Sequence, residues 1–264
     1  MADLEGFTDV LAALLSTGGP GAPLGICQAC VAWLPMSGAA VTVMASADRQ
    51  ELVCASDTVA ARIDELQFSL GEGPCVEAFM TGRTVQIADI VEVRDSRWPM
   101  FAAAARDTPA RGMYVFPLHV GAGRLGVLDC YRDTPGPLTA DELAGALRAA
   151  DAAVWALLDQ APRRNPTGND PTPAGVGATP TVADDHGDRP DQAWSGYGWS
   201  GVVSPMGYPE IHQATGMIIG QVGGTAASAL ARLRAAAFAA ERPIDEVARD
   251  VVGRRLRFDE RDGP

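Results

Sequence analysis

Apolar positions along the chain follow two rhythms, and each run stops at recognisable punctuation. Leu4, Phe7, Leu11 and Leu14 share one face of a predicted first helix. A second helical stretch covers residues 24–34. Residues 39–45 (AAVTVMA) and 51–55 (ELVCA) flank a polar turn and predict a pair of strands. Residues 58–67 and 75–82 read as helices, 84–87 as a short strand and 98–106 as a helix. Two β-rich runs, 113–120 and 125–131, meet at Gly121-Ala122-Gly123. Hairpins interleaved with helices in this order predict an α+β domain around a central, mainly antiparallel sheet flanked by helices.

Thr139 with Glu142 three residues later is a capping box that starts another helix. Leu143, Leu147, Ala150, Val154 and Leu157 then repeat like a heptad seam. The seam either pairs with a second copy, with help from the first helix, or packs on its own sheet. The rhythm stops after residue 160. Residues 161–207 are rich in Pro, Gly, Asp and Thr, too poor in large apolar groups to offset the entropy of ordering, and predict a flexible linker. Its aromatic cluster, Trp194, Tyr197 and Trp199, either docks on a neighbouring domain or stays mobile. Periodicity resumes at residue 208 as an all-α three-helix bundle. The first helix, 209–222, turns Ile211, Ala214, Ile218 and Val222 inward and ends at Gly223-Gly224. Thr225 caps a second with Ala226, Ala229, Leu230, Leu233 and Ala237 inside. Pro243 opens a third carrying Ile244, Val247, Ala248, Val251 and Leu256. Three regions follow: a domain over 1–160, a linker over 161–207 and a bundle over 208–264.

Charge sharpens this division. The 264 residues carry 33 acidic and 21 basic side chains, all the basic ones Arg, for a net charge of −12 and a pI near 4.6. The front region holds 20 acids against 10 Arg, whereas residues 208–264 are balanced at 8 and 8. The protein as a whole therefore repels phosphate and anionic lipid, and any nucleic-acid contact must be local. No apolar run reaches the roughly 20 residues of a membrane span, and the first residues lack a basic n-region. The five cysteines, an odd number in apolar contexts, fit reduced thiols and a cytoplasmic location.

Catalytic constellations are nearly absent: the sequence has no HExxH, GxSxG or Walker-type loop, and it predicts no enzyme, metal or cofactor. Cys27 and Cys30 have the spacing of half a zinc site without the other half. The sharpest front-region signal is Gly71-Glu72-Gly73-Pro74-Cys75. Its glycines turn the chain into a helix whose N-terminus would lower the Cys75 pKa, making this a redox or ligand sensor loop; otherwise Cys75 is a small buried hydrophobe. In the bundle, Arg234, Phe238 and Arg242 fall along one stripe. A ring between two guanidinium groups can stack on unpaired bases and reach phosphates, or can pack on a partner subunit. Arg254, Arg255 and Arg257 add positive charge or compensate a helix dipole.

The run Ile211-His212-Gln213-Ala214-Thr215-Gly216-Met217-Ile218, with residues 229–234, 242–248 and Val251-Val252, resembles the ANTAR domain. This resemblance implies a three-helix RNA-binding module of bacterial transcription antitermination regulators, with contacts at Gln213, Thr215, Gly216, Arg234, Phe238 and Arg242. Thr215 stands where that family often has Lys, which removes a phosphate contact. Leu70-Gly-Glu-Gly-Pro-Cys75, Gly82-Arg-Thr-Val85, Asp89, Trp98-Pro99, Phe116-Pro-Leu118 and Leu125-Gly-Val-Leu128 resemble a GAF domain. That implies a small-molecule pocket on one face of the sheet and a dimerising sensor. Together they imply a cytoplasmic homodimer that binds tandem stem-loops in nascent transcripts. The alternative is a ligand- or redox-responsive protein-interaction module without RNA binding.

Overall fold

The computed structural model describes residues 3–93, 97–160 and 208–259. The expected linker and its Trp194, Tyr197 and Trp199 lie outside the described residues. Elements run α1 (Leu4–Thr17), α2 (Ala22–Trp33), β1 (Gly38–Ser46), β2 (Arg49–Ala55), α3 (Thr58–Leu70), α4 (Pro74–Thr81), β3 (Val85–Ile87), α5 (Pro99–Ala105), β4 (Gly112–Val120), β5 (Gly123–Arg132), α6 (Ala140–Gln160), α7 (Pro209–Val222), α8 (Ala226–Ala239) and α9 (Ile244–Val252). The five strands form one antiparallel sheet in the order β2-β1-β5-β4-β3.

Strand alternation divides the core in two. In β4 and β5, Tyr114, Phe116, Leu128 and Cys130 point to the face covered by α1, α2 and α6. Met113, Val115, Val127 and Tyr131 point to the other face, covered by α3, α4 and α5. The glycine between Leu125 and Val127 has a packing reason: a Cβ on Gly126 would lie 1.9 Å from the Thr42 carbonyl oxygen of β1. The predicted capping box forms, with Glu142 accepting from the Thr139 amide at 2.8 Å and Thr139 Oγ1 accepting from the Glu142 amide at 3.3 Å.

The heptad seam of α6 turns mostly inward. Ala150, Val154 and Leu157 join the core with α1 and α2, whereas Leu147 stays exposed. The three C-terminal helices enclose their own cluster of Ile211, Ala214, Ile218, Leu230, Leu233, Ile244, Val247 and Val251. Two sequence expectations change here. Ala226 is exposed. The third helix stops at Val252, because Gly253 and Arg254, the latter at φ 58°, turn the chain away, so Leu256, Arg255 and Arg257 lie beyond it. Phe68 of α3, 1% exposed, packs into this C-terminal cluster rather than into the sheet.

Candidate functional site

The face under α3 is polar at its centre. Asp57 caps α3, accepting from the Val59 and Ala60 amides at 2.8 and 2.9 Å, and so fixes the helix rotation. Asp64 and Gln67, one turn apart, then face the sheet. Thr42 of β1 donates to Asp64 Oδ1 at 2.6 Å, and Tyr208 donates to Asp64 Oδ2 at 2.9 Å. Gln67 Nε2 donates to Asp129 of β5 at 2.6 Å, while its Oε1 accepts from the Cys75 amide at 2.7 Å. Both carboxyls are almost fully buried and held by neutral donors. Burial pushes Asp64 up to about 6, against the restraining Thr42 and Tyr208 hydrogen bonds. Burial likewise pushes Asp129 up to about 7; the Gln67 bond opposes this and the Asp64 charge adds to it. Gln50 of β2, 2% exposed, has neither side-chain amide atom hydrogen-bonded within the described protein. This face therefore buries two protonatable acids in one hydrogen-bonded network, with the Gln50 amide outside it.

The 71–75 loop closes the network. Gly71 ends α3 in the left-handed conformation, and a Cβ on Gly73 would strike the Gln67 side chain at 2.8 Å. Glu72 reaches away and accepts from the Met100 and Phe101 amides at 2.6 and 2.8 Å, which ties the loop to the start of α5. Cys75 is wholly buried, its Sγ 4.0 Å from Met44 Sδ. Burial, and after it the charges of Asp64 and Asp129, push its thiol well above the ordinary range, opposite to what a helix N-terminus alone would do. Cys27 and Cys30 point into the core, with Cys27 Sγ 3.8 Å from Cys54 Sγ. Among the described residues no group of three or more His, Cys, Asp and Glu could hold a metal.

The three residues expected to form one helical stripe meet this region from outside, but Arg242 lies beyond α8, which ends at Ala239 before Glu241 turns the chain at φ 50°. Arg234 Nη1 lies 3.1 Å from Asp48 Oδ1 in the β1–β2 turn, and Nη2 donates to the Phe68 carbonyl at 2.6 Å. Phe238 stands 70% exposed one turn further on. Arg242 is paired with Asp250 at 2.8 Å and with Glu246 at 3.3 Å. These three line a cleft of about 640 Å³ whose opposite wall is α3, through Arg62, Glu65 and Leu66. Gln213 and Gly216 are exposed on α7 and lie outside this lining. Thr215 is 8% exposed and its hydroxyl donates to the Ile211 carbonyl at 2.7 Å, so it presents no free donor.

The GAF domain family matches residues 24–159, more than half of the chain. The chain belongs to the GAF domain family. Its GAF domain supplies the sheet, the buried acids and the 71–75 loop. No curated protein matches the chain. Among solved structures, it is similar to free methionine-R-sulfoxide reductase from Neisseria meningitidis at 16% identity, with 60% of this chain and 92% of that one covered and a TM-score of 0.42. A GAF sensor protein from Burkholderia vietnamiensis is similar at 16% identity over 57% and 90%, TM-score 0.41. The N-acylhomoserine lactone dependent LuxR family factor CepR2 from Burkholderia cenocepacia is similar at 20% over 59% and 93%, TM-score 0.46.

Sequence reasoning did not single out Asp64, Gln67 and Asp129 of the GAF sheet face, nor the contact of Asp48 and Phe68 with the bundle. A signal existed for the first group. Asp64 and Gln67 recur with Ala60 and Ile63 on the apolar stripe of α3, where polar residues require buried partners.

Proposed function

We propose that this protein is an RNA-binding transcription antitermination regulator in which the GAF domain senses a signal and the C-terminal bundle, an ANTAR-like module, binds stem-loops in nascent RNA. The observation that carries this reading is Phe238. Its ring is held out on α8 at 70% exposure, one turn after Arg234 and beside Arg242, which follows the end of the helix. A ring so placed offers a stacking platform for an unpaired base, and Arg234 and Arg242 would meet phosphates on release from their carboxylate partners. The ring lies outside the apolar cluster of the bundle, so the bundle itself does not require it.

Sensing then acts through shifts between conformations rather than through bond chemistry. In this reading a small polar ligand would engage the α3 face of the sheet, and the buried acids and the Gln50 amide support that choice. A cytoplasmic homodimer suits the reading, because two modules would meet two loops. Its contact surface would be α6, where Leu147 and Trp155 are 44% and 65% exposed.

The test is fluorescence anisotropy of a labelled tandem stem-loop RNA titrated with the full chain, its Phe238→Ala variant and its Arg242→Ala variant. Loss of one stacked base costs about 1–3 kcal/mol, so Phe238→Ala should weaken binding roughly 5- to 150-fold. Unchanged affinity in both variants overturns the assignment.

A further inference from the structure

Arg234 is an expected RNA contact, yet the GAF domain already holds it. Its side chain is 17% exposed, and its three interactions all come from the front of the chain: the Asp48 carboxylate, the Phe68 carbonyl and the Phe68 ring, 5.7 Å from the guanidinium carbon. A carboxylate, a carbonyl oxygen and an aromatic face are the groups that a phosphate, a base carbonyl and a nucleobase would otherwise present to an arginine.

The contact extends beyond this one side chain. Tyr208, just ahead of α7, stacks on the Phe68 ring, with centroids 4.5 Å apart and planes 16° from parallel. Its hydroxyl reaches the buried Asp64. His212 comes within 6.0 Å of the same Phe68 ring. Phe68 is thus a peg from α3 that completes the apolar core of the bundle. Close approach is built in at the end of α3: a Cβ on Gly71 would lie 2.7 Å from Arg234 Nη1.

We propose that Asp48, Phe68 and Asp64 form an intramolecular latch that competes with RNA for the bundle, occupying Arg234 in a closed state. This rests on the RNA-binding reading above and assigns its regulation. Asp64 also belongs to the buried network of the GAF sheet face, hydrogen-bonded to Thr42. A ligand that rearranges that network therefore changes the hold on Tyr208, and with it the exposure of Arg234. Phe238 and Arg242 remain outside in the closed state, able to make first contact with RNA before Arg234 is released.

The experiment uses the full chain and two variants, Asp48→Arg and Tyr208→Phe. Asp48 lies in a hairpin turn and is one-third exposed, so reversing its charge opposes Arg234 without disturbing the sheet. Hydrogen exchange of the amides in residues 66–71 and 228–236 reports the latch; exchange in β4 and β5 reports the GAF fold. Tandem stem-loop RNA affinity is measured on the same samples. The latch predicts faster exchange at both segments, unchanged exchange in β4 and β5, and RNA binding tightened about tenfold or more in Asp48→Arg, with a smaller shift in Tyr208→Phe. Unchanged exchange in both variants overturns the latch whatever the RNA result. Faster exchange with equal RNA affinity overturns the competition and leaves RNA binding standing. Faster exchange with no RNA bound by any of the three proteins overturns the RNA-binding reading itself.

Discussion

Asp129 is the acid whose substitution reports most directly on the buried network. It sits near the middle of β5, 5% exposed, with Gln67 as its donor, and burial raises its pKa from 3.8 to about 7. Between those values the folded protein keeps a proton that the unfolded chain has lost. Stability therefore falls as pH rises through that window and levels off above it. A shift of about 3 units at about 1.4 kcal/mol each makes the ionised carboxylate cost on the order of 4 kcal/mol at pH 8. Asparagine has the shape of the neutral acid and an oxygen for Gln67, so Asp129→Asn should nearly equal the parent around pH 4 and exceed it by about 4 kcal/mol at pH 8. Asp64, raised to about 6, adds a slope of the same sign below neutrality in both proteins. Asp89, Glu142 and Asp250 are held below the ordinary range, and their stabilisation is lost as pH falls through the acid region, so it does not distort the comparison from pH 5 to 8. The assay is urea unfolding followed by far-UV circular dichroism at unit pH steps. A variant less stable than the parent at pH 8, or a parent that gains stability from pH 5 to 8, refutes the reasoning.

Three further outcomes follow from packing and access. Gly126→Ala places a methyl group 1.9 Å from the Thr42 oxygen, so it should cost at least about 3 kcal/mol in thermal or urea unfolding; a change within error would contradict the close approach. Trp155→Glu on the exposed face of α6, beside a groove of about 420 Å³ lined by Leu15 and Ala22, should yield monomers in sedimentation velocity if α6 joins two copies. A dimer that persists in this variant moves the contact elsewhere. All five cysteines are buried, and Cys75 has a raised pKa, so a thiol reagent at pH 7 should label it no faster than the domain opens. Prompt stoichiometric labelling would restore the sensor-thiol reading.

Most elements were legible because their apolar periods are long and their ends are marked. Thr225 begins α8 through a capping box with Ser228, and Gly223 and Gly71 end α7 and α3 with positive φ. The front fold was legible for a second reason: the glycines of the 71–75 loop and Gly126 sit where the backbone or a neighbour leaves no room for a side chain. The third bundle helix was read too long because Leu256 falls in register, yet Arg254 takes a left-handed conformation that breaks the helix. Tertiary contacts were less visible. Phe68 looks like one more helix apolar residue, and nothing local reveals that its partners lie some 140 positions away at Tyr208 and 166 away at Arg234. Spacing alone grouped Arg234, Phe238 and Arg242, but it showed neither that α8 ends before Arg242 nor that Arg234 is already bound by the front domain.

The central claim, that the bundle reads RNA, is tested most directly by the salt dependence of binding. The full chain would be titrated with a tandem stem-loop RNA and with a duplex of equal length that lacks loops, at two salt concentrations. Phosphate and base contacts predict loop-dependent affinity that drops steeply as salt rises. Absent binding, or affinity indifferent to both salt and loops, would contradict the account and leave a protein-interaction module in its place.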